Sequence, residues 1–356
     1  MVPYQQGWNR LAFALSFTLA LAGCGEDQLP TAESGKPAST TGQVVVYSAL
    51  DKEFAEPVLL DYAKQSKVEV LPKFDVESTK TVGLTNQLVA EASRPRCDLF
   101  WNNEILNTLR LRDKGVLVPF KPTHADELPA TFKAKDGTWY GFAARARILL
   151  VNTKLVPEGE RPKGIEDLLN PKWKGKVGIA KPLFGTTATH ATCLFAVWGD
   201  EKARAYFKGL KANGVQVLSG NKQVATAVSS GQIAFGLTDT DDAMGEIEAG
   251  HAVAIVYPDR EPGQLGTLYI PNTLAMIKGA PHPQDAEALA NHLLSPEVET
   301  VLANGPSAQI PLLPSTQTSA RVETPKTVHA MEVDFETVVK LWDNVAAYLA
   351  EEFAGG

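Results

Sequence analysis

GQIAFGLTDTDDAMGEIEA, residues 231–249, reads as strand, tight turn, helix. Ile233, Ala234, Phe235, Gly236 and Leu237 form an apolar run with no polar break, the pattern of a strand buried on both faces. Thr238, Asp239, Thr240, Asp241 and Asp242 then crowd polar groups at its carboxyl end, and Met244, Ile247 and Glu248 continue at helical spacing. In an open α/β sheet, ligands bind just outside the carboxyl ends of strands. Three carboxylates there make a candidate cation site. The same residues also suit plain helix capping, because Asp and Thr are favoured N-caps and first-turn Asp complements the helix dipole. Both readings stay open at this point.

Outward from this stretch the chain keeps alternating strand and helix. Residues 44–48, 68–73 and 97–101 read as strands, each followed by a helical pattern, so a mostly parallel, doubly wound α/β sheet is expected. Asp51 lies just past the first strand, and Asn103 and Glu104 lie past the third. Residues 143–151, AARARILLV, put Arg145 and Arg147 on one face of an extended segment. Two guanidinium groups on one face suit an anion, although charges also protect solvated edge strands. Thr186 and Thr187 open a further helix, where small residues and hydroxyls form an anion-binding N-terminus or a plain cap. His190 on that helix is a weaker ligand candidate, read first as a surface or hydrogen-bonded residue. Residues 333–353 read as one long amphipathic helix whose stripe serves packing.

A chain of 356 residues is expected to form about two domains. Its net charge of -7, without a Lys/Arg block, gives no support to a nucleic-acid footprint. Residues 11–22, LAFALSFTLALA, are apolar but too short to span a bilayer as a mature helix. Leu21, Ala22, Gly23 and Cys24 follow in a pattern that resembles a bacterial lipoprotein lipobox. That resemblance implies a signal peptide over residues 1–23, lipidation of Cys24, and an exported protein held on the periplasmic face or the cell surface. Residues 24–42, rich in Ser, Thr, Pro and acids, read as a flexible tether. Cys97 and Cys193 are expected to be buried free thiols.

In order and spacing, VVVYSALDKEFAEPVLLDYAKQS, CDLFWNNE, WYGFAARARILLVN, GTTATHATCLFAVWG, GLTDTDDAMGEIEAG, YIPNTLAMIKGAPHP and LLSPEVE resemble the solute-binding proteins of bacterial ferric-iron ABC importers. The resemblance implies two doubly wound α/β lobes joined by hinge strands, of the type II periplasmic-binding-protein kind. Lobe 1 would take residues 43–142 and 274–356, and lobe 2 residues 143–273. It implies a receptor that is no enzyme, closes as a monomer on a metal ion such as iron, and delivers it to permease and ATPase subunits. A carbonate- or phosphate-like anion would accompany the metal at Arg145, Arg147, Thr186 and Thr187. The metal set would be Asp51, Asn103, Glu104, Asp239, Asp241 and Asp242. Here the chain departs from the pattern of the family it resembles, because Asp51 stands where a His is common and Asp241 and Asp242 where two adjacent Tyr are common. Carboxylates are hard oxygen ligands for Mg, Ca, Mn or ferric ion, with less discrimination than phenolates. The alternatives are a receptor for a polyamine or a phosphonate or phosphate ester, and an exported metal-dependent hydrolase. The chain carries no HExxH, G-x-S-x-G or P-loop pattern, which weakens the hydrolase.

Overall fold

The computed structural model describes residues 42–76 and 79–353. The expected signal peptide, most of the expected tether and Cys24 lie outside them. The chain opens with β1 (Gln43–Ser48), α1 (Lys52–Ser66), β2 (Glu69–Phe74), α2 (Val82–Ala90), β3 (Leu99–Asn102), α3 (Leu106–Asp113) and β4 (Leu117–Val118). A long strand, β5 (Trp139–Asn152), leads to β6 (Val177–Ala180), α4 (Gly185–Trp198), α5 (Asp200–Ala212), β7 (Gln216–Leu218), α6 (Asn221–Ser229), β8 (Phe235–Asp239), α7 (Thr240–Glu248) and β9 (Val253–Val256). A second long strand, β10 (Tyr269–Ile277), returns to α8 (Pro283–Leu293) and α9 (Pro296–Asn304), and the tail carries α10 (Phe335–Val338) and α11 (Trp342–Glu352).

The strands form one sheet in the order β2-β1-β3-β10-β5-β8-β6-β7, with β4 beside β10 and β9 beside β5. Within each half the neighbours run parallel: β1 with β2 and β3, and β6 with β7 and β8. The expectation of a mostly parallel sheet needs correcting at the centre. There β10 runs antiparallel to β3 and β5, and β5 runs antiparallel to β8 and β9. A chain that enters the second half on one strand and comes back on another needs that pair to run in opposite senses. The result is two α/β lobes joined by β5 and β10.

The joint is irregular where the halves meet. The β5–β10 register shifts between Ile270 and Asn272, at Pro271, which has no N–H for the ladder. Opposite it, Ala143 takes a positive φ of 43°. Its N–H donates to the buried Glu299 carboxylate (2.9 Å), which also accepts from Leu312 N, Leu313 N and Thr316 Oγ1. Four donors on one buried carboxylate fix this bend just before Arg145.

Every residue of β5 is buried, so Arg145 and Arg147 lie in a central strand and not on a solvated edge. The expected tail helix is broken: a 3-10 turn, Val339–Leu341, separates α10 from α11. That tightened turn lets Val338, Val339 and Trp342 all bury in one core with α4 and α5 side chains. Cys97 and Cys193 are buried free thiols, and burial raises both thiols. Among the described residues no helix is long and apolar enough to cross a membrane.

Candidate functional site

Five strand ends supply the site. Asp51 follows β1, Asn103 and Glu104 follow β3, Thr186 and Thr187 open α4 after β6, Asn221 opens α6 after β7, and Asp239 ends β8. This is the position where open α/β sheets gather ligand groups.

At β8 there is no intervening turn. The strand runs through Thr238 and Asp239, two residues past the expected apolar run, and α7 starts at Thr240. Asp239 is the N-cap residue by position, yet its side chain makes no capping bond. It turns instead to β5. Its Oδ1 accepts from Arg147 Nη1 at 2.7 Å, and its Oδ2 accepts from Asn221 Nδ2 at 2.8 Å and from the Thr186 hydroxyl. Arg147 Nη1 also reaches Thr186 Oγ1 and Asn221 Oδ1, and Nη2 reaches Thr187 Oγ1, each at 3.1 Å, while Nε is buried without a partner among the described residues. Arg147, Asp239, Thr186 and Thr187 are all buried.

Arg145, two residues back on the same face, is spent in the same way. Nε donates to Asp241 Oδ2 at 2.9 Å, Nη2 to Asn272 Oδ1 at 2.9 Å, and Nη1 to the Asn103 carbonyl. Asn272 in turn donates to the Ala143 carbonyl and to Gln309 Oε1 (2.8 Å). The alternation along β5 therefore aims both guanidinium groups at one place, as the sequence suggests. The anions they meet are the protein's own carboxylates.

Asp241 and Asp242 lie in the first turn of α7. Asp241 is buried, and its Oδ1 also accepts the Asp242 N–H at 3.1 Å. Asp242 is half-buried, and no hydrogen bond reaches its carboxylate among the described residues. Burial, then the charges of Asp241, Asp51 and Asp239, push the Asp242 carboxyl well above its ordinary range. Burial also raises Asp241, with Arg145 opposing and Asp239 and Asp51 adding to the rise. One carboxylate oxygen from each of Asp239, Asp241 and Asp242 lies within 4.8 Å of the others. Asp51 faces this group from the first half and is ion-paired to Lys80 at 2.5 Å. Hard oxygen donors so arranged can hold a cation, which would relieve the repulsion that Arg145, Arg147 and Lys80 leave uncompensated.

Glu104 has a different job. Its carboxylate accepts from Asn102 Nδ2 (2.9 Å), Leu106 N, Asn107 N (3.0 Å) and, across the junction, Thr189 Oγ1 (2.7 Å). With four donors it anchors the start of α3 and ties it to α4. Asn103 is buried with its Oδ1 unpartnered among the described residues. His190 is neither exposed nor hydrogen-bonded: it is buried and neither ring nitrogen has a partner among the described residues. Burial first, then the Arg147 charge, hold its imidazole well below the usual range. Sequence reasoning did not single out Lys80, Asn221 or Asn272. Asn221 at the head of a helix pattern and Asn272 after Pro271 carry a local signal only for capping and for a strand break. Their part here depends on which strand ends the topology brings together.

The chain belongs to the bacterial extracellular solute-binding protein family, whose model matches residues 61–331. Two-lobed binding proteins of this kind share the fold described above. The chain is 25% identical over 305 residues to the major ferric iron-binding protein of Neisseria meningitidis, covering 83% of this chain and 88% of that one. Iron-bound HitA from Pseudomonas aeruginosa superposes with a TM-score of 0.77 at 20% identity, over 86% of this chain and 99% of HitA. The periplasmic binding protein AfuA from Actinobacillus pleuropneumoniae, with fructose-6-phosphate bound, gives 0.77 at 22% identity, over 88% of this chain and 99% of AfuA. These neighbours have the type II periplasmic-binding-protein fold.

Proposed function

We propose that this chain is the receptor of an ABC importer that captures a metal ion, iron first among the candidates, in the cleft between its lobes. The observation that carries the reading is the carboxylate group of Asp239, Asp241 and Asp242 on one lobe, faced by Asp51 on the other. The names of the relatives support iron. The lobes are assigned as residues 43–142 with 274–356, and 143–273, and the receptor hands its cargo to permease and ATPase subunits as a monomer. Closing on a cation brings the Asp51 side and the α7 side together. Lipid on Cys24 holds the receptor at the membrane it serves. Binding without turnover distinguishes it from a hydrolase.

The phosphonate or phosphate-ester alternative is supported by the sugar-phosphate-bound neighbour and by a putative 2-aminoethylphosphonate-binding relative from Salmonella typhi, 27% identical over 153 residues. Against it stands the pairing of Arg145 with Asp241 and of Arg147 with Asp239, which already neutralises both guanidinium charges. Calorimetry of the purified exported domain with ferric citrate, Mn, Zn and Ca, beside spermidine and fructose-6-phosphate, tests the reading. Saturable binding of a metal with no response to the organic solutes is expected. Binding of the phosphate ester alone would move the assignment to that class.

A further inference from the structure

We infer that Asp239 is a built-in anion: it fills the arginine–hydroxyl–amide cradle of this cleft, so the receptor takes its cation without a carbonate- or phosphate-like co-ligand. This rests on the metal-receptor reading for its second half and on geometry alone for its first. A guanidinium fork, two threonine hydroxyls at a helix N-terminus and an asparagine amide are the donors that hold a planar or tetrahedral oxyanion. In this chain they converge on a carboxylate of the chain itself. Arg147 Nη1 reaches Oδ1 at 2.7 Å, while Asn221 Nδ2 (2.8 Å) and Thr186 reach Oδ2. The remaining Nη2 goes to Thr187, whose own proton goes to Asn221 Oδ1 at 3.0 Å. Both terminal nitrogens of Arg147, both hydroxyls and the Asn221 amide are already closed into this network, which is buried throughout except at Asn221. Among these groups Arg147 Nε alone is buried without a partner among the described residues.

The geometry also leaves the carboxylate something to offer. A carboxylate has about four lone-pair sites, and three donors address Asp239. Among the described residues Oδ1 keeps one site free, and Asp239 stands in the same cluster as Asp241 and Asp242. Asp239 can thus do what a cradled oxyanion does, with one face held by donors and the other turned to a cation. A carboxylate fixed by the chain also costs no entropy of capture.

Two measurements test this. In the first, inorganic phosphate and bicarbonate are titrated in the absence of metal against the wild type and Asp239→Ala. The wild type is expected to show no binding, and the variant, its cradle emptied, to gain phosphate binding by at least about tenfold. Wild-type binding as tight as the variant's would overturn the proposal. In the second, the metal that binds the wild type is titrated in bicarbonate- and phosphate-depleted buffer and again with each anion restored. A change below about twofold is expected, and an increase of about tenfold or more with anion would overturn the proposal. The wild-type titrations carry the test even if the variant does not fold. Absence of metal binding in both buffers would sink the receptor reading and leave the first measurement to decide whether Asp239 fills the cradle.

Discussion

Asp239 and Asp242 stand three positions apart at one strand-to-helix junction and live in opposite surroundings. Asp239 is buried, paired with Arg147, and held by Thr186 and Asn221. Asp242 is half-buried, has no hydrogen bond to its carboxylate among the described residues, and is surrounded by other acids. The first is already held by a cation and two further donors; the second has no donor among the described residues. The difference shows that a row of acids in sequence is no measure of a site's charge. Arg145 and Arg147 neutralise Asp241 and Asp239, so the unpaired negative character gathers at Asp242 and, across the cleft, at Asp51, which Lys80 offsets.

The sharpest way to break the comparison is to remove the held end. Arg147→Met leaves Asp239 buried without its cation, and breaking a buried pair from one side costs about 3–5 kcal/mol. Denaturant unfolding should show that loss. The double variant Arg147→Met with Asp239→Leu should recover most of it, since replacing both charges removes the uncompensated one. A single variant within about 0.5 kcal/mol of wild type would mean that the Arg147–Asp239 end is not the rigid one.

The open end should behave in the reverse way. Asp242→Asn removes a repelled charge, so the apo protein should keep its stability or gain up to about 1 kcal/mol, while metal affinity falls by about tenfold or more. The sign with pH follows from the raised carboxyls. Asp241 and Asp242 take up protons at a higher pH than their ordinary 3.8, so protons compete with the cation earlier on acidification than at an ordinary carboxylate. Wild-type affinity should therefore fall as the pH drops while still above the usual carboxylate range, and Asp242→Asn should flatten that fall. Equal metal affinity in wild type and variant at every pH would remove Asp242 from the site.

The two ends were unequally legible. The apolar run before Thr238, the alternation through Arg145 and Arg147 and the hydroxyls at 186–187 are local patterns with a local cause, and they announced the elements that meet in the cleft. Partner choice is not local. That Arg147 meets Asp239 follows from β5 lying antiparallel to β8, with Arg147 opposite Asp239 in register. A parallel reading of the sheet cannot supply that pairing. Glu104 shows the same limit from the other side. Its position after a strand suggests a ligand, but its four partners include Thr189, a residue 85 positions away. The break in the tail was hidden as well, because its apolar stripe has a helical period whether or not one turn tightens.

A third test reaches behind the held end. His190 is buried beside Arg147 and its imidazole is held well below the ordinary 6.5. On acidification the unfolded chain takes up that proton near pH 6.5 and the folded chain does not. Stability is thus full above about 6.5 and declines as the pH falls, by at most about 1.4 kcal/mol per pH unit, until the depressed folded value is reached. His190→Leu should flatten that slope, giving a difference from wild type of up to about 2 kcal/mol at pH 5. Parallel stability curves for the two proteins would mean that His190 takes up its proton in the folded state.

The smallest expected effect belongs to a contact between the two halves, where Lys222 on α6 pairs with Glu53 on α1 at 2.6 Å, both about half exposed. A pair this wet contributes about 0.2–1 kcal/mol, so Lys222→Ala should hardly alter the melting temperature. Its charge has more reach than its bond. Asp242 and Asp51 both act on Lys222, so Lys222 in turn opposes an incoming cation. Removing it should raise metal affinity by no more than about threefold in dilute buffer, and the gain should vanish near 1 M salt, where the Debye length is about 3 Å. The opposite sign would carry its own lesson. If Lys222→Ala weakens metal binding and the weakening survives in salt, the pair works as a contact that holds the closed form. The open end would then be gated by direct bonds between the two halves as well as by the repulsion of its acids.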